Sequence, residues 1–311
     1  MAPPVLIAAE LKNLLEPAQL VDLDITWLAA DQHTPQGDWV ALVPLLSRWV
    51  GGTQLKHLPN LRIVANCAVG YNNVDVVAAE MRKVIVTNTP GVLTEATADL
   101  TWALILATAR RLVEGVDLVR SGAWSGWHPE QLLGLELRGR TLGLLGAGRI
   151  GQAVGRRAPP FGLRLLYTAR TPKPEFERDT GATRVDTTRL LAESDILSLH
   201  VPSSPETKGM INGETLARMK RGAILINTSR GDLVREEALA IALERGHLGA
   251  AGLDVYTEEP AIHPRLLAAP RTVLLPHIGS ATEETRRKMA AIAVANVQAV
   301  LSGKPALTPV Y

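Results

Sequence analysis

Short, uninterrupted apolar runs recur along the chain, with stretches of helical periodicity between them. VLIAA from Val5, WVALVPLL from Trp39, LRIVANC from Leu61 and VIVTN from Val84 carry little polar alternation. That is the mark of strands covered on both faces, and strands spaced by helices pair in parallel. Around Leu55, and from Val74 to Arg82 after the turn-like Asn72-Asn73, apolar residues return at three-to-four spacing and predict helices. A small α/β domain is expected to end near Pro90-Gly91.

The segment from Thr94 to Arg120 has no proline and an Ala or Leu at nearly every turn, which predicts one long connecting helix. Thr94, Glu95 and Thr97 suit its capping turn. TLGLLGAGRIG from Thr141 then opens a second alternation, continued by LRLLYTA from Leu163, DILSLHVP from Asp195, AILINTS from Ala223, AAGLDVY from Ala250 and TVLLPH from Thr272. Thr282 to Ser302 reads as an amphipathic helix stopped by Gly303 and returning to the first domain. No solenoid period or low-complexity tract interrupts this order.

The length of 311 residues agrees with two domains. Lys and Arg number 33 against 31 Asp and Glu, without a run of one sign, so neither nucleic acid nor a membrane surface is an expected partner. The single cysteine, Cys67, allows no internal disulfide and reads as a buried apolar residue. The start lacks a basic segment followed by an apolar one, and the best apolar run, Leu100 to Ala109, holds two threonines. A cytoplasmic location is expected.

Gly146, Gly148 and Gly151 fit G-x-G-x-x-G between a predicted strand and a helix that Pro159-Pro160 would stop. In that context the first glycine permits the tight turn and the second lets the backbone approach a pyrophosphate. The third lets helix pack on strand, and the helix N-terminus favours the anion. A carboxylate about 20 residues on would hold the ribose hydroxyls of NAD. The next strand instead ends in Tyr167-Thr168-Ala169-Arg170-Thr171-Pro172-Lys173, with no carboxylate before Glu175. A guanidinium at Arg170 with Lys173 beside it accepts a 2′-phosphate, so NADP(H) is expected over NAD(H). His200 lies in a predicted strand and reads as structural.

Three further segments follow predicted strands, where ligands gather in open α/β sheets. They are Asn227-Thr228-Ser229-Arg230-Gly231, Asp254 to Pro260, and Pro276-His277-Ile278-Gly279-Ser280. With these motifs in this order, the sequence resembles the D-isomer-specific 2-hydroxyacid dehydrogenases, and within them the glyoxylate/hydroxypyruvate reductases. The likeness spans essentially the whole chain. It includes Asn66 to Asp75, which resembles the family's substrate-carboxylate loop.

The resemblance implies a Rossmann cofactor-binding domain over residues 96–282. It also implies a smaller flavodoxin-like α/β substrate domain over residues 1–95, to which 283–311 return, with reaction in the cleft and hinges near Thr94 and Thr282. The catalytic set implied is Arg230, Glu259 and His277. Implied cofactor contacts are Thr94, Arg149, Ile150, Thr171, Val201, Pro202, Thr207, Thr228 and Asp254, in addition to the three fingerprint glycines, Arg170 and Lys173. Val69 and Gly70 would hold the substrate carboxylate, Ser280 would touch a hydroxylated substrate, and Trp127 would reach a partner subunit's site in a homodimer. Trp124 and Trp127 stand in a glycine-containing loop of an aromatic-poor chain, which suits an exposed contact surface.

The chemistry asks for these residue types independently. A 2-keto acid under reduction needs an anion clamp, which Arg230 can supply, and an acid, which His277 can supply with Glu259 orienting it and favouring the imidazolium. A D-lactate-type or phosphite dehydrogenase is the alternative within the class. A dinucleotide-sensing corepressor-like binding protein is the alternative outside it. The chain departs from its nearest relatives at Ala158-Pro159-Pro160-Phe161, which is expected to shorten the fingerprint helix. No metal site is expected.

Overall fold

The computed structural model describes residues 2–311. It divides into two compact units, one comprising the described residues up to Leu93 with Ser280–Tyr311 and the other Thr94–Gly279. The first begins β1 (Pro4–Ala8), β2 (Asp24–Leu28), β3 (Ala41–Val43), α1 (Gly52–Lys56), β4 (Ile63–Ala65), α2 (Val76–Met81) and β5 (Ile85–Thr87). These strands form a parallel sheet in the order β2-β1-β3-β4-β5, the flavodoxin-like order. Val5, Leu6, Ile7, Leu42, Val43, Ile63 and Val64 are fully buried, each such side chain contributing roughly 1.5–3 kcal/mol of transfer free energy.

The apolar-run pattern does not show β2. Asp24, Ile25, Thr26, Trp27 and Leu28 alternate between exposed and covered because the strand lies at the sheet edge and pairs only with β1.

The second unit runs α3 (Thr94–Ala109), α4 (Leu112–Arg120), β6 (Thr141–Leu145), α5 (Arg149–Arg156), β7 (Arg164–Thr168), α6 (Pro174–Thr180), β8 (Thr183–Arg184) and α7 (Thr187–Glu193). It continues β9 (Ile196–Leu199), α8 (Gly213–Ala217), β10 (Ile224–Asn227), α9 (Glu236–Glu244), β11 (Ala250–Leu253), α10 (Pro264–Leu267) and β12 (Thr272–Leu274). All seven strands are parallel, in the order β12-β11-β10-β9-β6-β7-β8. The chain works outward from β6 in one direction and then returns to work outward from β9 in the other, so a Rossmann switch point falls between β6 and β9.

The single long helix expected from Thr94 to Arg120 is two helices. Arg111 adopts a left-handed φ of 54°, and its guanidinium forks onto Glu114 at 2.6 and 2.8 Å. No glycine or proline marks the break. The fingerprint helix α5 ends at Arg156, after which Pro159–Phe161 form a 3-10 turn that stacks Phe161 on buried Trp102 at 4.4 Å.

The chain returns to the first unit as α11 (Glu283–Leu301). There Val300 accepts a hydrogen bond from Arg62 (2.7 Å), and Asn296 and Thr308 tie the C-terminal segment to Asn88. Among the described residues no helix is long and apolar enough to cross a membrane, and no cluster of His, Cys, Asp or Glu could hold a metal ion.

Candidate active site

At the carboxyl ends of β6, β7 and β9 the second unit opens a groove of about 890 Å³. Gly146 has φ +101°, and a Cβ there would lie 2.8 Å from the His200 carbonyl oxygen. At Gly151 a Cβ would lie 2.2 Å from the Gly146 carbonyl oxygen, so the helix sits this close to the turn only without side chains. Gly148, the N-cap of α5, has open space where its side chain would be. A bare backbone and a helix N-terminus exposed to a long groove fit the pyrophosphate of a dinucleotide.

Gly146, Gly148, Arg170, Thr171, Lys173, Val201 and Pro202 line this groove. Its wall includes His200, one residue past β9 and therefore not inside the strand. Burial pushes this imidazole down to about 4, and Ser198 Oγ lies 2.9 Å from its Nε2, consistent with a neutral structural side chain.

The loop after β7 is held from several sides. Arg184 donates to the carbonyls of Ala169 and Arg170, each at 3.0 Å, while Lys173 N donates to the Tyr167 hydroxyl, which donates to Glu177. Arg170 is exposed, and Lys173 Nζ lies 3.2 Å from Thr171 Oγ1. The nearest carboxylates are engaged: Glu177 with Tyr167, and Asp186, on the groove rim, with Arg189 N as the cap of α7. The role of Arg184 carries no sequence signal, because a lone arginine ending a two-residue edge strand is indistinguishable from a surface cation.

Other residues expected at the cofactor are used within the protein. Thr207 Oγ1 donates to the Pro202 carbonyl (2.7 Å), and Thr228 shares a hydrogen bond with Thr101 (2.8 Å). Arg149 and Ile150 form the first turn of α5, and Thr94 is the first residue of α3.

Arg230, Glu259 and His277 stand on the loops after three neighbouring strands, β10, β11 and β12. Buried Asn227 folds the first of these loops, donating to Arg230 O (2.8 Å) and accepting from Ser229 N (3.0 Å). Burial lowers the Arg230 guanidinium from its ordinary value against the pull of the Glu259 and Asp232 carboxylates.

His277 Nδ1 donates to Glu259 Oε2 at 2.6 Å, each side chain retaining 28% exposure. Glu259 Oε1 accepts from Tyr256 N at 2.9 Å. Burial alone would raise the Glu259 carboxyl, but His277, the Tyr256 amide and Arg230 hold it below the usual carboxylate value. His277 has a left-handed φ of 55°, held by Asp254, whose two carboxylate oxygens accept from Ile278 N (2.8 Å) and Gly279 N (2.7 Å). Burial pushes the Asp254 carboxyl up despite those amides and His277. An imidazole oriented through Nδ1 by a carboxylate that also feels the Arg230 guanidinium suits protonation of a carbonyl oxygen beside a carboxylate.

Within the first unit, Val69 and Gly70 follow β4. Their carbonyls are fixed by Asn88 Nδ2 (2.8 Å) and Asn66 Nδ2 (2.9 Å), and Asn66 and Asn73 exchange side-chain hydrogen bonds. Asp75 caps α2 by accepting from Ala78 N. Cys67 is buried, and burial pushes its thiol up to about 12, which removes it from nucleophilic chemistry. Ser280 begins the returning segment of this unit.

A Rossmann sheet with an open fingerprint groove, and with arginine, glutamate and histidine on the loops past its neighbouring strands, defines a dinucleotide-dependent oxidoreductase. Residues 102–279 match the D-isomer specific 2-hydroxyacid dehydrogenase, NAD binding domain, and the chain belongs to the D-isomer specific 2-hydroxyacid dehydrogenases. It is 51% identical over 268 residues to a glyoxylate reductase of Thermococcus litoralis, covering 85% of this chain and 81% of that protein. A glyoxylate reductase of Aeropyrum pernix is 50% identical over 270 residues, covering 85% and 80%.

Among solved structures, a protein from Thermus thermophilus superposes with a TM-score of 0.90 at 45% identity, covering 99% of this chain and 100% of that one. An NADPH-dependent glyoxylate/hydroxypyruvate reductase from Sinorhizobium meliloti, in complex with NADP and malonate, gives 0.87 at 35% identity, covering 100% and 97%.

Proposed function

We propose that the chain reduces glyoxylate and hydroxypyruvate to glycolate and D-glycerate with NADPH. The observation that carries this reading is the His277–Glu259 pair at 2.6 Å, on a unit whose cofactor groove ends in Arg170 and Lys173. The names of the archaeal relatives and of the Sinorhizobium meliloti enzyme support the substrate.

Gly146, Gly148 and the N-terminus of α5 hold the pyrophosphate, and Arg170, Thr171 and Lys173 hold the 2′-phosphate. The bound nicotinamide supplies the hydride that reaches the carbonyl carbon. Arg230 binds the substrate carboxylate and polarises the carbonyl. His277 gives its proton to the carbonyl oxygen as charge develops there, while the Glu259 carboxylate holds the ring and stabilises the imidazolium.

Trp127 is 82% exposed and Trp124 53% exposed, on a segment that also exposes Val116, Val119 and Leu133. We assign this segment to a homodimer in which Trp127 narrows the partner's site to small acids, consistent with several large apolar side chains left exposed on one segment.

Loss of reduced-nicotinamide absorbance with purified protein, crossing NADPH and NADH against hydroxypyruvate, glyoxylate, pyruvate and a bulky keto acid, tests the proposal. Fast NADPH oxidation with the first two is the expected result. Turnover confined to bulky keto acids would refute the substrate assignment. Arg170→Ala is expected to lower the NADPH-over-NADH preference in kcat/KM by on the order of ten-fold, equivalent to losing one charged hydrogen bond of about 1.5 kcal/mol. An unchanged ratio would remove Arg170 from cofactor selection.

Glu259→Gln tests the dyad through pH. The amide oxygen can still accept from Nδ1, but the negative charge that favours the imidazolium is gone. Without it the protonated form is less favoured, and the alkaline limb of the reduction profile is expected to move to lower pH. On the acid side the wild-type carboxylate stays ionised below the usual carboxylate range, so the wild-type acid limb is set by protonation at that lower pH. A kcat/KM profile whose alkaline limb does not move would count against the pair.

A further inference from the structure

The loop that carries Glu259 runs from Thr257 to His263, and both of its ends are tied to one side chain outside it. Glu236, at the first position of α9, accepts from Thr257 N through Oε1 (2.7 Å) and from His263 N through Oε2 (3.1 Å). Between these anchors the loop turns back on itself at Glu258 and Ala261, where Ala261 N donates to Glu258 O at 2.9 Å. Ile262 packs on the core that buries Leu239, Ala240 and Leu243 of α9. A carboxylate with two acceptor oxygens is the one short group that closes both ends at once.

Glu236 thus fixes the loop against a buried helix, and the loop has to present Glu259 within 2.6 Å of His277. Resting on the dyad assignment above, we propose that Glu236 is a positioning residue for the acid pair: by clamping both ends of the Thr257–His263 loop it sets the Glu259–His277 separation and hence the charge felt by the imidazole. Glutamates in the first turn of a helix ordinarily complement its dipole, and Glu237 beside it and Glu244 a turn and more along do no more than pair with Arg265. That is why the sequence does not distinguish Glu236 from its neighbours.

The charged and titratable groups acting on the pair are Asp254 and Arg230; at the clamp Glu236 acts on Tyr256, and Glu258 and His263 lie on the clamped loop itself. None but Glu236 touches both ends of the loop.

The experiment compares wild type with Glu236→Ala, Glu236→Gln and His277→Ala, reading kcat, KM for NADPH and the pH profile of kcat/KM for glyoxylate reduction. Glu236→Ala is expected to lose on the order of ten-fold in kcat through misplacement of the pair. Its KM for NADPH should be unchanged and its alkaline limb moved to lower pH. Glu236→Gln keeps one acceptor oxygen and should fall between, and it carries the test alone if the alanine variant does not fold. Wild-type kcat in Glu236→Ala, or a fall in kcat with an unmoved limb, overturns the proposal and leaves Glu236 a structural residue. His277→Ala separates the two levels: if it keeps its turnover, the dyad assignment itself fails, whereas loss in His277→Ala with normal Glu236 variants sinks only the clamp.

Discussion

His277→Ala is expected to lower kcat for keto-acid reduction by roughly 10²–10⁴-fold, the contribution of a positioned general acid, while NADPH still binds with wild-type affinity. The separation of effects follows from where the groups stand. Gly146, Gly148 and Arg170 line the groove past β6 and β7, whereas His277 follows β12. Truncation to alanine also leaves Glu259 with its Tyr256 amide at 2.9 Å, so the neighbouring loop keeps one of its internal bonds. Steady-state rates with fluorescence titration of NADPH check both halves. A variant that retains more than a small fraction of the rate would show that water, not this imidazole, protonates the product.

Gly231→Ala is expected to be the most damaging single methyl in the second unit. An added Cβ would lie 1.8 Å from the carbonyl carbon of Tyr256 and 2.0 Å from its oxygen. The obstacle is backbone and cannot rotate away. The loops that carry Arg230 and Glu259 would have to separate, which costs about 3 kcal/mol or more as overpacking and lowers the melting temperature by roughly 6–12 °C for a domain of this size. The same displacement should lower kcat/KM on the order of 100-fold. Calorimetry and kinetics on one preparation measure both, and a wild-type melting temperature would mean the approach is looser in solution than this geometry requires.

Much of this architecture is legible in the chain because its physics is local. Fully buried parallel strands read as apolar runs, and β6, β9, β10 and β11 fall inside the runs TLGLLGAGRIG, DILSLHVP, AILINTS and AAGLDVY, each ending before the run does. Glycines that turn or permit close approach declare themselves by spacing, as at Gly146 and Gly151.

What stays hidden depends on tertiary context. Edge strand β2 alternates because only one neighbour covers it, and the break at Arg111 is enforced by an arginine–glutamate fork with no residue of turn chemistry. The side chains proposed to act on substrate, Arg230, Glu259 and His277, stand out by motif. Those that act by holding backbone, such as Asn227, Arg184 and Glu236, have ordinary sequence surroundings, and the partners that give them meaning lie on other loops.

The backbone at position 277 also limits which acids this scaffold could be engineered to use. A left-handed φ of 55° is tolerated by glycine and, at modest cost, by asparagine, aspartate and histidine, but burdens longer or branched side chains by about 1–2 kcal/mol. Lysine, glutamate or tyrosine placed there would carry that cost, as Lys83, Arg111 and Arg271 do elsewhere in the chain at φ values of 58°, 54° and 57°. Exchange of the proposed proton donor at His277 for a longer side chain therefore carries a modest backbone cost that a donor introduced from a neighbouring loop would not, and the turn that Asp254 clamps is what such a redesign would have to preserve.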